Sequence, residues 1–358
     1  MLGRLVDASF PTHNYSSKED ESHARQMKQS RSSNKSNPYT AIWGNTLDIF
    51  HEADVRFINL ETSVTTHSTP WPNKAFNYRM HPNNIKALNE AHIDFANTAN
   101  NHILDYGYEG MKETVETLTK AIIGWAGVGD NLIEAGLPCI IEVNGLKIGV
   151  IGAADHYSYW ASNSKPGINY VDIEGELNVF GTESISMYST NNFIERTKNT
   201  IRELKDSNAV DLCIVSIHIG ANYAWEPTSN QQRFVKELID KAGVDVIHGH
   251  SSHHIKGIEI YKGKVIMYGC GDFISDYMID REYKNNLGFI YELVYDMSNK
   301  QFIRLELTPT VISNLQVNIA VDDNRSWLYK KMDYLCDKLG TQTNISQGED
   351  DRLIISLI

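Results

Sequence analysis

The sequence predicts an α/β protein, because short apolar, β-branched runs alternate with amphipathic helical patterns and the runs end in polar residues of ligand type. From Asn37 onward the alternation suggests βα units on a largely parallel core. The polar ends matter because, in open α/β sheets, ligands gather at the carboxyl ends of strands. A chain of 358 residues can bury a large core, as one big α/β domain or two smaller ones.

In chain order, His13 to Asn37 is rich in Ser, Lys, Asn, Asp and Glu and has almost no apolar residues. Such a stretch cannot bury enough surface to offset its ordering entropy, so it reads as a flexible surface insertion. The expected strands are Val55–Asn59, Phe95–Thr98, Cys139–Val143, Lys147–Ala153, Leu212–Ile217, Val244–His248 and Val265–Tyr268. Between them, Gly110–Lys120 reads as a helix. Gln232–Ala242 places Phe234, Val235, Leu238, Ile239 and Ala242 on one helical face, with Gly243 where a C-cap is expected. Phe289–Tyr295 and Phe302–Leu307 alternate like antiparallel strands, and Ser326–Leu339 reads as a closing helix. This organisation predicts a main domain over 1–312 and a C-terminal helical extension over 313–358.

Composition excludes several classes. Lys and Arg total 33 against 45 Asp and Glu, a formal charge of −12, which argues against a general nucleic-acid binder. No apolar run approaches the roughly 18 residues that a membrane span needs. Arg4 and Asp7 interrupt the start too early for a signal-peptide core. The cysteines Cys139, Cys213, Cys270 and Cys336 lie far apart with no CxxC pair, which suggests a reducing, cytoplasmic compartment.

Ligand-type residues follow strand after strand. Val55–Asn59 runs into Glu61. Phe95–Thr98 runs into Asn100, Asn101 and His102, with Asp105 beyond. Leu212–Ile217 runs into His218 and then Tyr223, and Val244–Ile247 runs into His248, His250 and His253. A lone His after a strand is usually a cap or a surface residue, and Asn-Asn is a common turn composition. Their conjunction describes one convergent site. Gly249 lets the backbone turn so that two imidazoles can face one point. Imidazole, amide oxygen and carboxylate together suit zinc, manganese or iron, whereas a calcium cage would use more carboxylates.

The same residues resemble the CapA family of capsule, or poly-γ-glutamate, synthesis proteins, which is similar to the calcineurin-like metallophosphoesterases. The matching pieces are Met1-Leu2-Gly3-Arg4, Asn59-Leu60-Glu61-Thr62-Ser63, Asn100-Asn101-His102 with Asp105 and Gly107, His218-Ile219-Gly220, Gly249-His250-Ser251-Ser252-His253 and Gly271-Asp272-Phe273. The likeness spans Met1 to about Ile274, with Asn77-Tyr78-Arg79-Met80-His81-Pro82 inside it.

The resemblance implies two facing mixed β-sheets flanked by helices, and one or two divalent metal ions (Mn, Zn or Fe). By carry-over, Glu61 is a bridging carboxylate. Asn101, His218 and His250 complete one metal position, and His253 belongs to the other. His102 is the general acid and Asp105 orients it. The family's first motif normally sets Gly-Asp and an apolar residue ahead of Met-Leu-Gly-Arg, so weaker binding is expected at the position shared with His253. Ser251-Ser252 replaces the usual His-Pro.

The function this implies is hydrolysis of a phosphoester or of a γ-glutamyl polymer. The alternative is a non-catalytic accessory protein that binds an anionic polymer or a synthase partner. Arg4, Asn59, Lys74, Arg79 and Tyr223 are the expected substrate contacts. Trp71, Tyr78 and Trp225 could wall a pocket, although core packing more often explains such residues.

Overall fold

The structure, a computed structural model, describes residues 4–14, 37–161, 163–175, 183–345 and 352–357. The expected insertion at 13–37 lies outside the described residues, apart from His13, Asn14 and Asn37. The strands in chain order are β1 (Phe57–Asn59), β2 (Ser63–Val64), β3 (Arg79–Met80), β4 (Phe95–Asn97), β5 (Gly124–Ala126) and β6 (Val128–Gly129). Next come β7 (Cys139–Val143), β8 (Leu146–Ala154), β9 (Gly167–Ile168), β10 (Leu212–His218), β11 (Val246–His250), β12 (Ile258–Tyr261) and β13 (Lys264–Met267). The last are β14 (Leu287–Asp296), β15 (Gln301–Ser313), β16 (Gln316–Ile319), β17 (Asn344–Ile345) and β18 (Leu353–Ser356).

A mixed six-stranded sheet, in the order β12-β13-β11-β10-β8-β7, forms one layer. Its centre is parallel, and β7 and β12 pair antiparallel at its edges. One face is covered by the helices Thr190–Asp206 and Ser229–Glu237, whose Phe193, Ile201, Phe234 and Val235 pack on Val215 and Ile217. The other face meets a layer in two parts. Phe95 and Ala126 of the parallel sheet β1-β4-β5 pack on Ile148 and Val150. Leu287, Phe289, Leu305 and Leu307 of the antiparallel sheet built on β14 and β15 pack on Val246, Val265 and Met267. The architecture is therefore a mixed α/β sandwich with helices outside.

Several boundaries differ from expectation. β11 continues through His250, because pairing with β10 carries it past the apolar run. The helix expected from Gly110 starts at Gly107, and the helix Ser229–Glu237 ends in a π-helical turn, Leu238–Ala242, closed by Gly243 at φ 77°. The capping box that starts this helix joins Thr228 to Gln231, which is why it begins upstream of Gln232. The segment expected as a helical extension contains the helix Asp322–Asp337 but also β16, β17 and β18, and β16 and β18 both pair with β15. Among the described residues no helix is long and apolar enough to cross a membrane.

Candidate active site

Strand register builds the site. On the six-stranded sheet, Ala154, His218 and His250 are direct neighbours at the carboxyl ends of β8, β10 and β11. On the smaller sheet, Asn59 pairs with Asn97 at the ends of β1 and β4. The turns that follow carry Glu61, Asn101 and His102. The Asn59 side chain donates to Glu61 Oε2 at 3.1 Å and accepts from Asn97 and Asn100. It fixes the carboxylate rather than facing a substrate.

His102 anchors one half of the site. Its Nδ1 donates to Asp105 Oδ2 at 2.6 Å, and its Nε2 lies 4.0 Å from Glu61 Oε1. Lys74 donates to Asp105 Oδ1 at 2.6 Å, and its Nζ is 3.1 Å from His102 Nδ1. Burial lowers the pKa of Lys74, against the pull of the Asp105 and Glu61 charges. The lysine expected to meet substrate is thus packed behind His102, on the side of its carboxylate partner. His253 faces Glu61 Oε1 from 3.7 Å, and its Nδ1 is 3.0 Å from Asp272 Oδ1. Burial opposes a charge on His253, but Asp272 and Glu61 outweigh it and lift the ring to about 9.

The other half is a histidine pair. His218 Nδ1 and His250 Nδ1 are 3.0 Å apart, so one donates to the other. Burial, reinforced by neighbouring histidines, pushes both pKa values well below the usual imidazole range. Both rings are therefore neutral, the form that can ligate a metal. Beside them, Asp155 accepts from Gly220 N at 2.8 Å and contacts His156. Burial works against a charge on His156 too, yet Asp155 raises its pKa.

The remaining expected contacts lie differently. Arg4 pairs with Asp276 at 3.3 Å and covers the Tyr78 ring. Arg79 donates to the carbonyls of Thr66 and His67 and lies over Tyr106, which removes it from the cluster. Tyr223 is at the rim, its ring 6.2 Å from that of His253. Asp7 accepts from Asn14, His81 and Asn84, and burial raises it to about 6. Asp7 is a structural hub.

The sequence reading assigned no role to Asp155, His156 or Asp272. The first two follow β8 directly, so the polar strand-end pattern marked them as it marked His218. Asp272 stands in a recognised motif, Gly271-Asp272-Phe273, without an assigned partner.

Donor chemistry fits a metal centre. Glu61 Oε1, Asn101 Oδ1, His218 Nε2 and Asp272 Oδ2 are buried without hydrogen-bond partners, a costly condition that a cation would relieve. Distances are less favourable: among the described residues no group of at least three His, Cys, Asp or Glu is arranged to hold an ion. A cavity of about 590 Å³ reaches Glu61, His250, His253 and Asp272 from between β1 and β14.

The family of the bacterial capsule synthesis protein PGA_cap matches this chain over residues 1–277. The chain belongs to that family. Its membership agrees with the resemblance carried by the motifs. Among PGA_cap relatives, a probable polyglutamine synthesis accessory protein of Mycobacterium tuberculosis is 31% identical over 309 residues, 83% of this chain and 77% of that protein. The capsule biosynthesis protein CapA of Bacillus anthracis is 27% identical over 278 residues, 76% of this chain and 60% of that protein. The calcineurin-like phosphoesterase YfkN of Bacillus subtilis superposes with a TM-score of 0.35 at 13% identity, over 67% of this chain and 64% of that one.

One buried group near this PGA_cap site gives a stability prediction. Lys256 is 2% exposed, and burial depresses its pKa to about 8, against the attraction of Asp155. A lysine depressed in the folded state costs stability wherever both states are protonated, and the cost fades as pH rises from 8 toward the unfolded value. Lys256→Met should therefore stabilise the protein at pH 7 by up to about 3 kcal/mol. The gap from wild type should close by about pH 10.5. Denaturant unfolding of both proteins across that range tests it, and a constant gap would show a packing effect instead.

Proposed function

We propose that this PGA_cap protein is a metal-dependent hydrolase of calcineurin-like type that cleaves a phosphoester during capsule or poly-γ-glutamate synthesis. The observation that supports it best is His102, held through Nδ1 by a buried carboxylate while Nε2 stands 4.0 Å from Glu61 Oε1, the oxygen that His253 also faces. A general acid has that geometry: one nitrogen fixed, the other directed at the reacting group.

Glu61, Asn101, His218 and His250 would hold one ion, and Glu61, Asp272 and His253, once the ion displaces the proton of its ring, a second. The ions would polarise a phosphoryl oxygen and lower the pKa of a water. The chain's own part is definable. Asp105 keeps the His102 ring in place, His102 Nε2 gives its proton to the leaving oxygen, and Asn59 holds Glu61 in position. The Asp272 contact orients His253 as a carboxylate behind a metal-bound histidine does.

A second reading, a non-catalytic accessory protein with a synthase partner, is favoured by one observation: the candidate ligands are not gathered to coordination distance. The relative named as a synthesis accessory protein adds to it. Metal analysis after loading with manganese, zinc or iron, joined to turnover of a model phosphodiester, separates the two. The hydrolase reading expects at least about one ion per chain and metal-dependent turnover. Bound metal without turnover of phosphodiester or γ-glutamyl amide would leave the accessory reading, and less than about 0.2 ion per chain would reject the metal site itself.

A further inference from the structure

Strand register gathers four polar side chains into one block on the six-stranded sheet. Ser216 and His218 are two residues apart on β10, and His248 and His250 are two apart on β11. Parallel pairing sets Ser216 beside His248 and His218 beside His250. Residues two apart on a strand share a face, so all four stand on the same side of the sheet. Leu212, Ile214 and Val246 of that face line the cavity, and so does His248. Polar groups on such an apolar floor need partners of their own.

They partner one another. Ser216 Oγ is 2.9 Å from His248 Nδ1 and 3.3 Å from His250 Nε2, while His250 Nδ1 is 3.0 Å from His218 Nδ1. A hydroxyl has one proton to donate, and so has a neutral imidazole. With each contact a hydrogen bond and the hydroxyl proton used within the row, the row runs in one of two senses. In the first, His250 Nε2–H donates to Ser216, the hydroxyl donates to His248 Nδ1, and His218 Nδ1–H donates to the bare His250 Nδ1. In the second all three bonds are reversed, and the His250 proton sits on Nδ1. The far end of the row favours the first. His218 Nε2 is buried without a partner, and it is a bare acceptor in the first sense but an N–H in the second. Glu61 Oε1, Asn101 Oδ1 and Asp272 Oδ2 are also buried without partners, and all are acceptors. A cation relieves four such acceptors together, whereas an N–H among them would oppose it.

We propose that Ser216 and His248 are positioning residues for the histidine pair: through the serine hydroxyl they keep the His250 proton on Nε2, which leaves Nδ1 bare. A partner behind a ligating histidine fixes its tautomer and its ring orientation together. The inference rests on the proposed metal site for its purpose, but the tautomer is read without metal, so either can fail alone. Removing the acceptor at position 248 tests the sense of the row. With leucine there, the Ser216 hydroxyl has only His250 Nε2 left to donate to, and the His250 proton should move to Nδ1. Asparagine presents Oδ1 where histidine has Nδ1, so it should keep the original tautomer.

Tautomers are read by long-range proton–nitrogen NMR on the whole, metal-free chain with isotope-labelled histidine, and His250→Gln assigns the His250 signals. Nε2–H is expected in the wild type and in His248→Asn, and Nδ1–H in His248→Leu. Zinc titration by calorimetry is the second readout: His248→Leu should weaken binding about 10–100-fold, and His248→Asn should retain it. Ser216→Ala, one atom smaller, breaks the same row and should weaken zinc to a similar extent, which keeps the test open if the leucine variant does not fold. Nδ1–H on wild-type His250 would overturn the proposal, as would a tautomer that His248→Leu leaves unchanged. So would equal zinc affinity in the wild type, His248→Leu and Ser216→Ala. The expected tautomers with no zinc bound by any of these proteins would uphold the row and remove the metal site instead.

Discussion

His102→Ala should reduce phosphodiester turnover by about 10²–10⁴ while leaving metal content nearly unchanged. The ring's Nδ1 is committed to Asp105 at 2.6 Å, and its Nε2 is 4.0 Å from the nearest Glu61 oxygen. On the proposed assignment, that arrangement suits a proton donor beside the cluster rather than a ligand inside it. The loss should depend on the leaving group. An alkoxide needs a proton as it departs, whereas p-nitrophenolate scarcely does, so the alanine variant should lose far more on an alkyl ester. Measuring kcat on both ester types, with metal analysis of the same samples, tests the assignment. Parallel loss of metal and activity would make His102 a ligand, and an equal loss on both esters would remove the acid role.

The residues of this site were legible wherever a regular strand pointed to them. Glu61, Asn101, His218 and His250 each follow an apolar run, and strand pairing places His218 and His250 side by side. Asp155 and His156 carry the same signature directly after β8. Contacts between loops were not legible. Nothing in local sequence tells that Lys74 will meet Asp105, 31 residues on, or that Asp272 will meet His253, because both depend on how turns fold over strand ends. Positive charges were therefore assigned to substrate when the fold uses them internally: Arg4 against Asp276 and Arg79 against backbone carbonyls. In the fold, long alternating runs such as β14 and β15 were visible. The short β16, β17 and β18 were not, since a strand of two to four residues is defined by its partners rather than by its own pattern.

Lys74→Met should be the most destabilising single change near the site, by about 3–5 kcal/mol, because it leaves a buried carboxylate without its cation. The Lys74 and Asp105 side chains are 4% and 0% exposed, so solvent does little to screen the pair. Asp105 would keep its hydrogen bonds from Tyr78 N and His102, which argues for the lower end of that range. The double variant Lys74→Met with Asp105→Asn removes the orphaned charge. It should recover part of the lost stability, since replacing both members of a buried pair costs less than removing one. Turnover should not recover with it, because an asparagine in place of the carboxylate no longer holds the His102 ring by a charge-assisted hydrogen bond. Denaturant midpoints of the wild type, both single variants and the double variant form a cycle whose coupling energy should exceed about 1.5 kcal/mol. Additive effects would mean that the 2.6 Å contact contributes little, and that Lys74 is held by the rings of Tyr157 and Trp160 rather than by Asp105.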